Sequence, residues 1–240
     1  MFFNGDIKFK GISSSTYSLI ITAVPSITHS EIRGEVFTIP GRDGDLLSNN
    51  PYRGDAEVRV QFAMVNNNGT SGYQTALREV RQWLSGTGKL IIGDSLNSYY
   101  EVKKVVIATD SRVIINYGVL EAVFTVYPYE FLNSGDTAIT SYSTIDNDAD
   151  KALPIYEITG EGSGVLTVNG KDMEYEVSNK LTIDCRRQIA VETSSGGTVT
   201  NASGSINGNY EDLCLVAGEN TVEITGGTTL KVYPKWGYVI

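Results

Sequence analysis

The sequence predicts a mainly β protein, with an α+β first half that contains one amphipathic helix and an all-β second half. Only one window, about residues 72–85, places apolar side chains at helical spacing. Elsewhere, short runs rich in β-branched and aromatic residues are separated by turn residues, and glycine (25) and tyrosine (14) are abundant. At 240 residues, the chain can form one large β domain or two smaller ones.

Alternating patterns predict the strands that precede the helix. Residues 31–40 carry apolar side chains on both faces, so we expect both faces to be at least partly covered. The glycines and aspartates of residues 41–45 predict a hairpin turn, and the polar residues 48–55 predict a loop or an extended segment. Residues 56–65 alternate strictly and give the clearest half-buried strand of the chain.

The helical window has one apolar stripe and one polar face. Ser71 and Gln74 match a capping box at its start, and Gly86 suits the left-handed residue that closes a helix. A lone amphipathic helix has no helical partner, so we expect the stripe to pack on a sheet. The stripe, which we predict to be core, consists of Tyr73, Ala76, Leu77, Val80, Trp83 and Leu84.

After the helix, three extended runs at residues 89–94, 99–107 and 113–127 complete an α+β unit. Composition then changes to Ser, Thr, Asn, Asp and Gly. We therefore predict a first domain at residues 1–132, a linker with an entering strand at 133–153, and a second domain at 154–240.

The second domain shows about eight short strand patterns and no helical window, which predicts a β-sandwich. Asn169-Gly170 is the strongest hairpin signal among them. The predicted strands are residues 155–158, 165–168, 172–177, 181–184, 189–191, 213–216, 220–225 and 229–234.

Charge is distributed unevenly along the chain, whose net charge is −9. Through Leu132 there are 12 Lys/Arg against 13 Asp/Glu, and from Asn133 onward there are 7 against 15. Neither half has the basic stripe that phosphate neutralisation needs, which argues against sequence-specific nucleic-acid binding. No apolar run approaches the roughly 20 residues of a membrane span, and the N-terminus has no secretory signal, so we expect synthesis in a cytoplasm without membrane insertion.

Groups that could support catalysis are scarce. His29 is the only histidine, and no nucleophile elbow, P-loop or dinucleotide fingerprint is present. We therefore expect no catalytic residues, no cofactor and no enzymatic activity. Cys185 and Cys214 lie in apolar runs and are expected to be buried reduced thiols, with a bridge between neighbouring strands as the alternative.

One acidic cluster has the ligand spacing of a calcium loop. Asp146, Asp148 and Asp150 are followed by Glu157 at the twelfth position. Lys151 stands where the loop needs glycine, however, and no helices flank the segment, so a solvated acidic linker without metal is favoured. The tripeptide at residues 53–55 spells an adhesion motif, which we interpret as coincidence.

The order of motifs along the whole chain resembles the distal tail protein family of long-tailed bacteriophages. In the first half these motifs are Ile39-Pro-Gly-Arg-Asp-Gly-Asp-Leu46, Trp83-Leu-Ser-Gly-Thr-Gly-Lys-Leu90, Asp94, Tyr99-Tyr100 and Tyr127-Pro-Tyr129. In the second half they are Pro154-Ile-Tyr-Glu-Ile-Thr-Gly160, Val168-Asn-Gly170, Leu181-Thr-Ile-Asp184, Leu215-Val-Ala-Gly-Glu-Asn-Thr-Val222 and Val232-Tyr-Pro-Lys-Trp236.

This resemblance implies a virion protein at the tail tip, assembled in the bacterial cytoplasm. The first domain would form a ring of six copies, and the second would be a galectin-like or carbohydrate-module-like sandwich. The ring would join the tail tube protein to the tail-tip hub protein, and the sandwiches could carry receptor-binding proteins. The residues that the resemblance places against the neighbouring subunit are Gly41, Arg42, Asp43, Gly44, Asp45, Leu46, Leu47 and Tyr52.

Two other functions are compatible with the sequence. The second sandwich could bind carbohydrate through Tyr210, Tyr233 or Trp236, although packing at the end of the sandwich also explains Trp236. A glycoside hydrolase would need two facing carboxylates, and the sequence marks no such pair.

Overall fold

The computed structural model describes residues 5–48, 53–65, 69–93, 97–114, 117–140 and 143–240. The chain forms two compact units. The first comprises Met1–Glu130 and Val239–Ile240, and the second comprises Phe131–Tyr238, so the chain passes between the units twice. Among the described helices, none combines the length and apolar composition that a bilayer span requires.

The first unit contains one α-helix, α1 (Gly69–Trp83), within its described residues. Its strands in chain order are β1 (Ile7–Phe9), β2 (Ile12–Ser13), β3 (Leu19–Ile21), β4 (Ser26–Thr28), β5 (Val36–Phe37), β6 (Leu46–Leu47), β7 (Ala56–Val65), β8 (Gly88–Ile92), β9 (Ser98–Ile114) and β10 (Tyr117–Leu132), of which the last continues into the second unit.

A large sheet forms the centre of the first unit, with the strand order β2-β1-β8-β9-β10-β7-β3. Strands β7 and β10 pair antiparallel from Val65↔Tyr117 to Ala56↔Val126. Alternate residues of β7 point into the core, as the strict alternation of residues 56–65 predicts. Strands β5 and β6 form a separate two-stranded sheet.

Helix α1 packs its apolar stripe on the core of this sheet. Tyr73, Leu77, Val80, Trp83 and Leu84 are each no more than 5% exposed. The indole Nε1 of Trp83 donates to the carbonyl of Phe9 at 3.1 Å, and the Phe9 ring contacts both Trp83 and Phe124 edge-on. The expected helix-on-sheet packing is thus present, because a single apolar stripe is buried most completely against a sheet face.

The helix begins earlier than the sequence indicates. Because α1 starts at Gly69, Ser71 is its third residue and cannot be the N-cap, so the predicted capping box is wrong. The Ser71 carbonyl instead accepts a hydrogen bond from Thr75 Oγ1 at 3.2 Å. Gly86 adopts the predicted left-handed conformation, with φ of 77°.

The second unit consists of two five-stranded antiparallel sheets, with the strand orders β11-β19-β13-β14-β18 and β17-β16-β15-β12-β20. Its strands are β11 (Thr144–Asn147), β12 (Ile155–Thr159), β13 (Gly162–Val168), β14 (Lys171–Val177), β15 (Lys180–Asp184), β16 (Ile189–Thr193), β17 (Val199–Asn201), β18 (Ile206–Asn207), β19 (Gly218–Ile224) and β20 (Thr229–Tyr233). A final strand, β21 (Gly237–Val239), follows.

The hairpin predicted at Asn169-Gly170 is confirmed. It joins β13 to β14, and both residues have positive φ, of 50° and 75°. The run at residues 213–216 is not a strand, contrary to the prediction. It follows a 3-10 turn at Tyr210–Leu213 and makes a single bridge, from Leu215 to Ala152.

Residues 133–153 contain an entering strand, β11, as predicted, but they are not a linker, because they lie inside the second unit. Strand β11 pairs with β19, and Ile145, Ala149 and Ala152 are buried. The polar composition misled the prediction because these three apolar residues, spaced among polar ones, point inward. The amide of Asn147, which is 1% exposed, is satisfied by backbone groups of the same unit.

Candidate functional site

A long excursion separates β4 from β7 in the first unit. We name residues 31–54 the arm; residues 49–52 within it lie outside the described residues. At its base Ile32 bridges Arg53, and the Gly54 amide donates to the Glu31 carbonyl at 2.8 Å. Further out, the amide of Ser48 donates to the carbonyl of Glu35 at 2.9 Å. The arm is therefore a two-stranded extension.

The tip of the arm is the hairpin that the sequence predicts. Val36 pairs with Leu47 and Phe37 with Leu46, and residues 38–45 connect them. Gly41 and Gly44 have φ of 84° and 78°, a conformation that favours glycine. Thr38 Oγ1 donates to Asp45 Oδ1 at 2.8 Å across the turn.

Each residue that the resemblance assigns to the neighbouring subunit belongs to the arm. Gly41, Arg42, Asp43, Gly44 and Asp45 form its turn and are exposed. Leu46 and Leu47 form β6, whereas Tyr52 lies outside the described residues.

The arm exposes large apolar side chains on both of its faces. The exposed fraction is 52% for Ile32, 62% for Val36, 50% for Phe37, 42% for Ile39 and 42% for Leu46. The expectation that both faces of residues 31–40 are covered is therefore wrong within one chain. The apolar residues do alternate along this segment, but nothing else in the described part of the chain covers their side chains.

Apolar exposure is concentrated in the first unit. Sixteen large apolar side chains are exposed among the described residues, twelve in the first unit and four in the second. Contiguous apolar exposure on a protein surface marks an interaction site more often than isolated exposed residues do. The first unit, and the arm in particular, therefore has the character of an assembly surface.

The tripeptide at residues 53–55 is held at the base of the arm. Asp55 forms an ion pair with Lys103 at 2.5 Å, and Arg53 Nη1 donates to the carbonyl of Ser30 at 3.4 Å. With its carboxylate paired and its arginine bonded to backbone, this segment is not a free adhesion loop.

The predicted calcium-like spacing does not bring ligands together. The three aspartates stand on or beside β11, with Asp146 and Asp148 exposed, and the buried polar side chain between them is Asn147. Within the described residues, no three His, Cys, Asp or Glu side chains are close enough to share a metal ion.

Two of the three aromatic residues considered for carbohydrate binding, Tyr210 and Trp236, pack against the core of the second unit, and Tyr233 on β20 is half-buried. Trp236 packs against its core and donates from Nε1 to Ser134 Oγ at 2.9 Å. Tyr210 also packs against the core, and burial raises the pKa of its hydroxyl. A groove of about 480 Å³ crosses β13, β14 and β18, but its only aromatic residue, Tyr175, is 3% exposed. Tyr210, Tyr233 and Trp236 are only partly exposed and Tyr175 is buried, so none of these four rings stands exposed as a stacking platform.

The two cysteines are buried and free, as the sequence predicts. Burial raises the pKa of the Cys185 thiol well above its ordinary value, and burial likewise raises that of Cys214. A thiol that resists ionisation is a poor nucleophile, so these groups have a packing role.

Comparison with known proteins gives a match in structure but none in sequence. No family model matches this sequence, and no curated protein matches it. The structure is similar to that of SPP1 Dit (gp 19.1), with a TM-score of 0.68, 11% sequence identity, and coverage of 95% of this chain and 96% of that one. That protein is described as a paradigm of the hub adsorption apparatus in phages that infect Gram-positive bacteria. The likeness shows that the two share a fold, and it confirms the predicted mainly β class with one helix.

Proposed function

We propose that this chain is a non-catalytic structural protein of a bacteriophage tail tip, where copies of its first unit close into a ring. By resemblance the ring has six copies and joins the tail tube protein to the tail-tip hub protein and the adsorption apparatus. Assembly takes place in the host cytoplasm, and the finished protein resides in the virion.

The exposed arm is the observation that carries this proposal. It holds five large apolar side chains in water at a cost that no contact in the described chain offsets, since burial stabilises by about 25 cal/mol per Å² of apolar surface. A neighbouring copy that covers the arm recovers this free energy. Because the fold is shared with a phage hub protein, self-assembly at a tail tip is the simplest explanation of the exposed arm.

The arm is also suited to a closed ring. It protrudes from one part of the unit and would contact a different surface of the next copy, which makes the contact heterologous. Repeated heterologous contacts close when the rotation between copies divides a full turn. Extended segments that lie along a neighbour's sheet are a common way to build such contacts.

The charge distribution supports the second unit as the outward part. From Asn133 onward the chain carries 7 Lys/Arg against 15 Asp/Glu, whereas the preceding part is nearly balanced. An acidic outer unit repels the polyanionic genome, while a nearly neutral first unit can pack against its copies without strong mutual repulsion. Receptor-binding proteins would then attach to the second unit.

Solution mass over a range of concentrations tests the proposal. We expect species that are multiples of the 26.1 kDa chain, with a closed hexamer at high concentration. Phe37→Ser should shift this equilibrium toward monomer, and Val199→Ser should not, although Val199 is 60% exposed on β17. A chain that stays monomeric at the highest soluble concentration, and that also fails to form rings on purified tail tubes, contradicts the proposal.

A further inference from the structure

We infer that the outer edge of β9, at residues 103–109, receives the arm of a neighbouring copy as an added strand. This inference rests on the proposed ring and specifies the surface that the arm contacts. We name residues 103–109 of β9 the free edge.

The free edge begins where the pairing between β8 and β9 ends. Strand β8 pairs with β9 at Leu90↔Tyr100, Lys89↔Glu101 and Gly88↔Val102. Strand β9 continues to Ile114, and β10 is its neighbour on the other side. Over the described residues no strand pairs with β9 on the β8 side after Val102. Backbone donors and acceptors therefore point outward along this edge, as on any edge strand.

Beyond Lys103 and Lys104, the composition of the free edge offers little protection against strand addition. Residues 105–109 read Val-Val-Ile-Ala-Thr, without a charge, a proline or a glycine. Edge strands of soluble proteins are usually short, or are interrupted by charges, prolines or bulges. A continuous uncharged β-branched run on an open edge is a template for pairing, so the edge needs a partner strand.

The free edge is held in place by the core and by the helix. Val105 and Ile107 pack against the hydrophobic core, whereas Val106 on the opposite face is 41% exposed. Just beyond the edge, Asp110 forms an ion pair with Arg81 of α1. The edge is thus a preformed docking strand.

Among the described residues, the arm of the same chain does not cover this edge, because its strands β5 and β6 pair only with each other. Its base lies beside Asp55, whose carboxylate pairs with Lys103, the first residue of the free edge. From there β9 runs toward the other end of the sheet, where Tyr117 pairs with Val65. The free edge therefore remains open to the arm of a second copy.

Length and charge make the arm of a second copy a suitable occupant. Residues 32–39 form an extended run that exposes Ile32, Val36, Phe37 and Ile39, and this run is long enough to span the free edge. Residues 31–48 carry two arginines against four carboxylates, while the free edge carries two lysines and no acid. The two surfaces have opposite net charge, which favours their association over arm–arm or edge–edge pairing.

A variant with a charge on the free edge tests the inference, with the mass of the oligomers in solution as the measurement. Val106→Lys should raise the apparent dissociation constant for self-association about tenfold or more, because it places a charge inside the uncharged run at residues 105–109, where the added strand would pair. Val199→Lys, at an exposed valine of the second unit, is the matched control and should leave association unchanged. Equal association of the two variants overturns the inference. Circular dichroism and melting temperature verify that both variants fold.

Cross-linking separates failure of the inference from failure of the ring proposal. Both native cysteines are buried, so Ala108→Cys combined with Val36→Cys or Leu46→Cys introduces the reactive thiols. A short bifunctional thiol reagent should produce a ladder of covalent oligomers up to the ring size. Ala108→Cys with Val199→Cys should give no ladder. Rings without a ladder from either arm position overturn the inference and leave the ring proposal standing, whereas a strict monomer that also forms no rings on purified tail tubes contradicts both.

Discussion

The hydroxyl of Tyr73 on α1 occupies space that is open only because residue 118 on β10 is glycine. A Cβ atom on Gly118 would lie 1.8 Å from that oxygen and 3.0 Å from the carbonyl oxygen of Ser111. Tyr73 is 2% exposed, so its ring cannot swing away into solvent. The helix therefore packs on the β9–β10 hairpin through the contact between Tyr73 and Gly118.

Gly118→Ala should destabilise the first unit by about 1–3 kcal/mol, since a methyl group would overpack a closed contact. Tyr73→Phe in the same chain should restore part of that loss, because it removes the nearest oxygen. Denaturant unfolding of the two single variants and the double variant measures the coupling. Gly204→Ala is the control, because a Cβ atom there meets nothing within 4 Å. Equal costs at the two glycines would contradict the contact.

Asn220→Ala should destabilise the second unit by about 1–3 kcal/mol, because it removes a fully buried side chain that makes three hydrogen bonds to the backbone at residues 216–218. Asn220 is fully buried; its Nδ2 donates to the carbonyls of Val216 and Gly218, and its Oδ1 accepts from the Val216 amide, each at 2.8 Å. Asn207→Ala, at an exposed asparagine that bonds Glu174, should change stability by no more than about 0.5 kcal/mol. Calorimetry of both variants measures the difference, and similar melting temperatures would rule out the network as a stabilising element.

Alkaline pH should destabilise the first unit. Burial raises the pKa of Tyr100 from 10.0 to about 12, and the charge and hydrogen bond of Glu130 add to the shift. The folded state thus holds the phenol proton more tightly than the unfolded state. This contribution to stability is fully present below pH 10 and is lost as pH rises from about 10 to 12. Denaturant unfolding at a series of pH values measures the decline.

Tyr100→Phe should flatten that decline, because it removes the titrating group. Tyr238→Phe, at a tyrosine that is 46% exposed, is the control and should leave the profile as it is. An unchanged alkaline profile in Tyr100→Phe would show that other groups cause the decline. Burial also raises the pKa of Tyr156 well above its ordinary value, so the second unit should lose stability in the same direction.

Cys185 and Cys214 should not react with a thiol reagent in the native protein at pH 8, and both should react after unfolding. They are 2% and 5% exposed, and burial raises the pKa of each thiol. Because attack requires the thiolate, labelling should proceed only through opening of the second unit. A colorimetric thiol assay with and without denaturant counts the reactive groups. Rapid native labelling of either cysteine would contradict the buried arrangement.

Local signals made much of the fold predictable. The apolar stripe of residues 73–84 specifies a helix on a sheet, since its period and its single face depend only on neighbouring residues. Asn169-Gly170 specifies its hairpin because few other residue pairs tolerate positive φ at both positions. The helix start was less predictable, because capping patterns recur within helices, as at Ser71.

Errors arose where burial depends on partners distant in sequence. Because polar residues dominate residues 133–153, the sequence predicted a linker there. In the structure, three buried apolar side chains and Asn147 attach this segment to residues more than 60 positions away in the chain. Residues 31–40 read as covered on both faces, yet they stand in solvent in the single chain. The open edge of β9 had no signal in sequence, because strand length alone does not tell which neighbour is missing.

The sequence alone determined the mainly β class, the position of the one amphipathic helix, the hairpin turns and the acidic character of the second half. These properties follow from side-chain period, backbone preference and charge, which each residue carries wherever the chain places it. Tertiary structure decided which apolar faces are buried and which remain exposed on the arm. It also decided where the first unit ends and that β9 extends beyond its neighbour β8. Those outcomes depend on which strands meet across long stretches of chain, and burial is a property of the assembled surface.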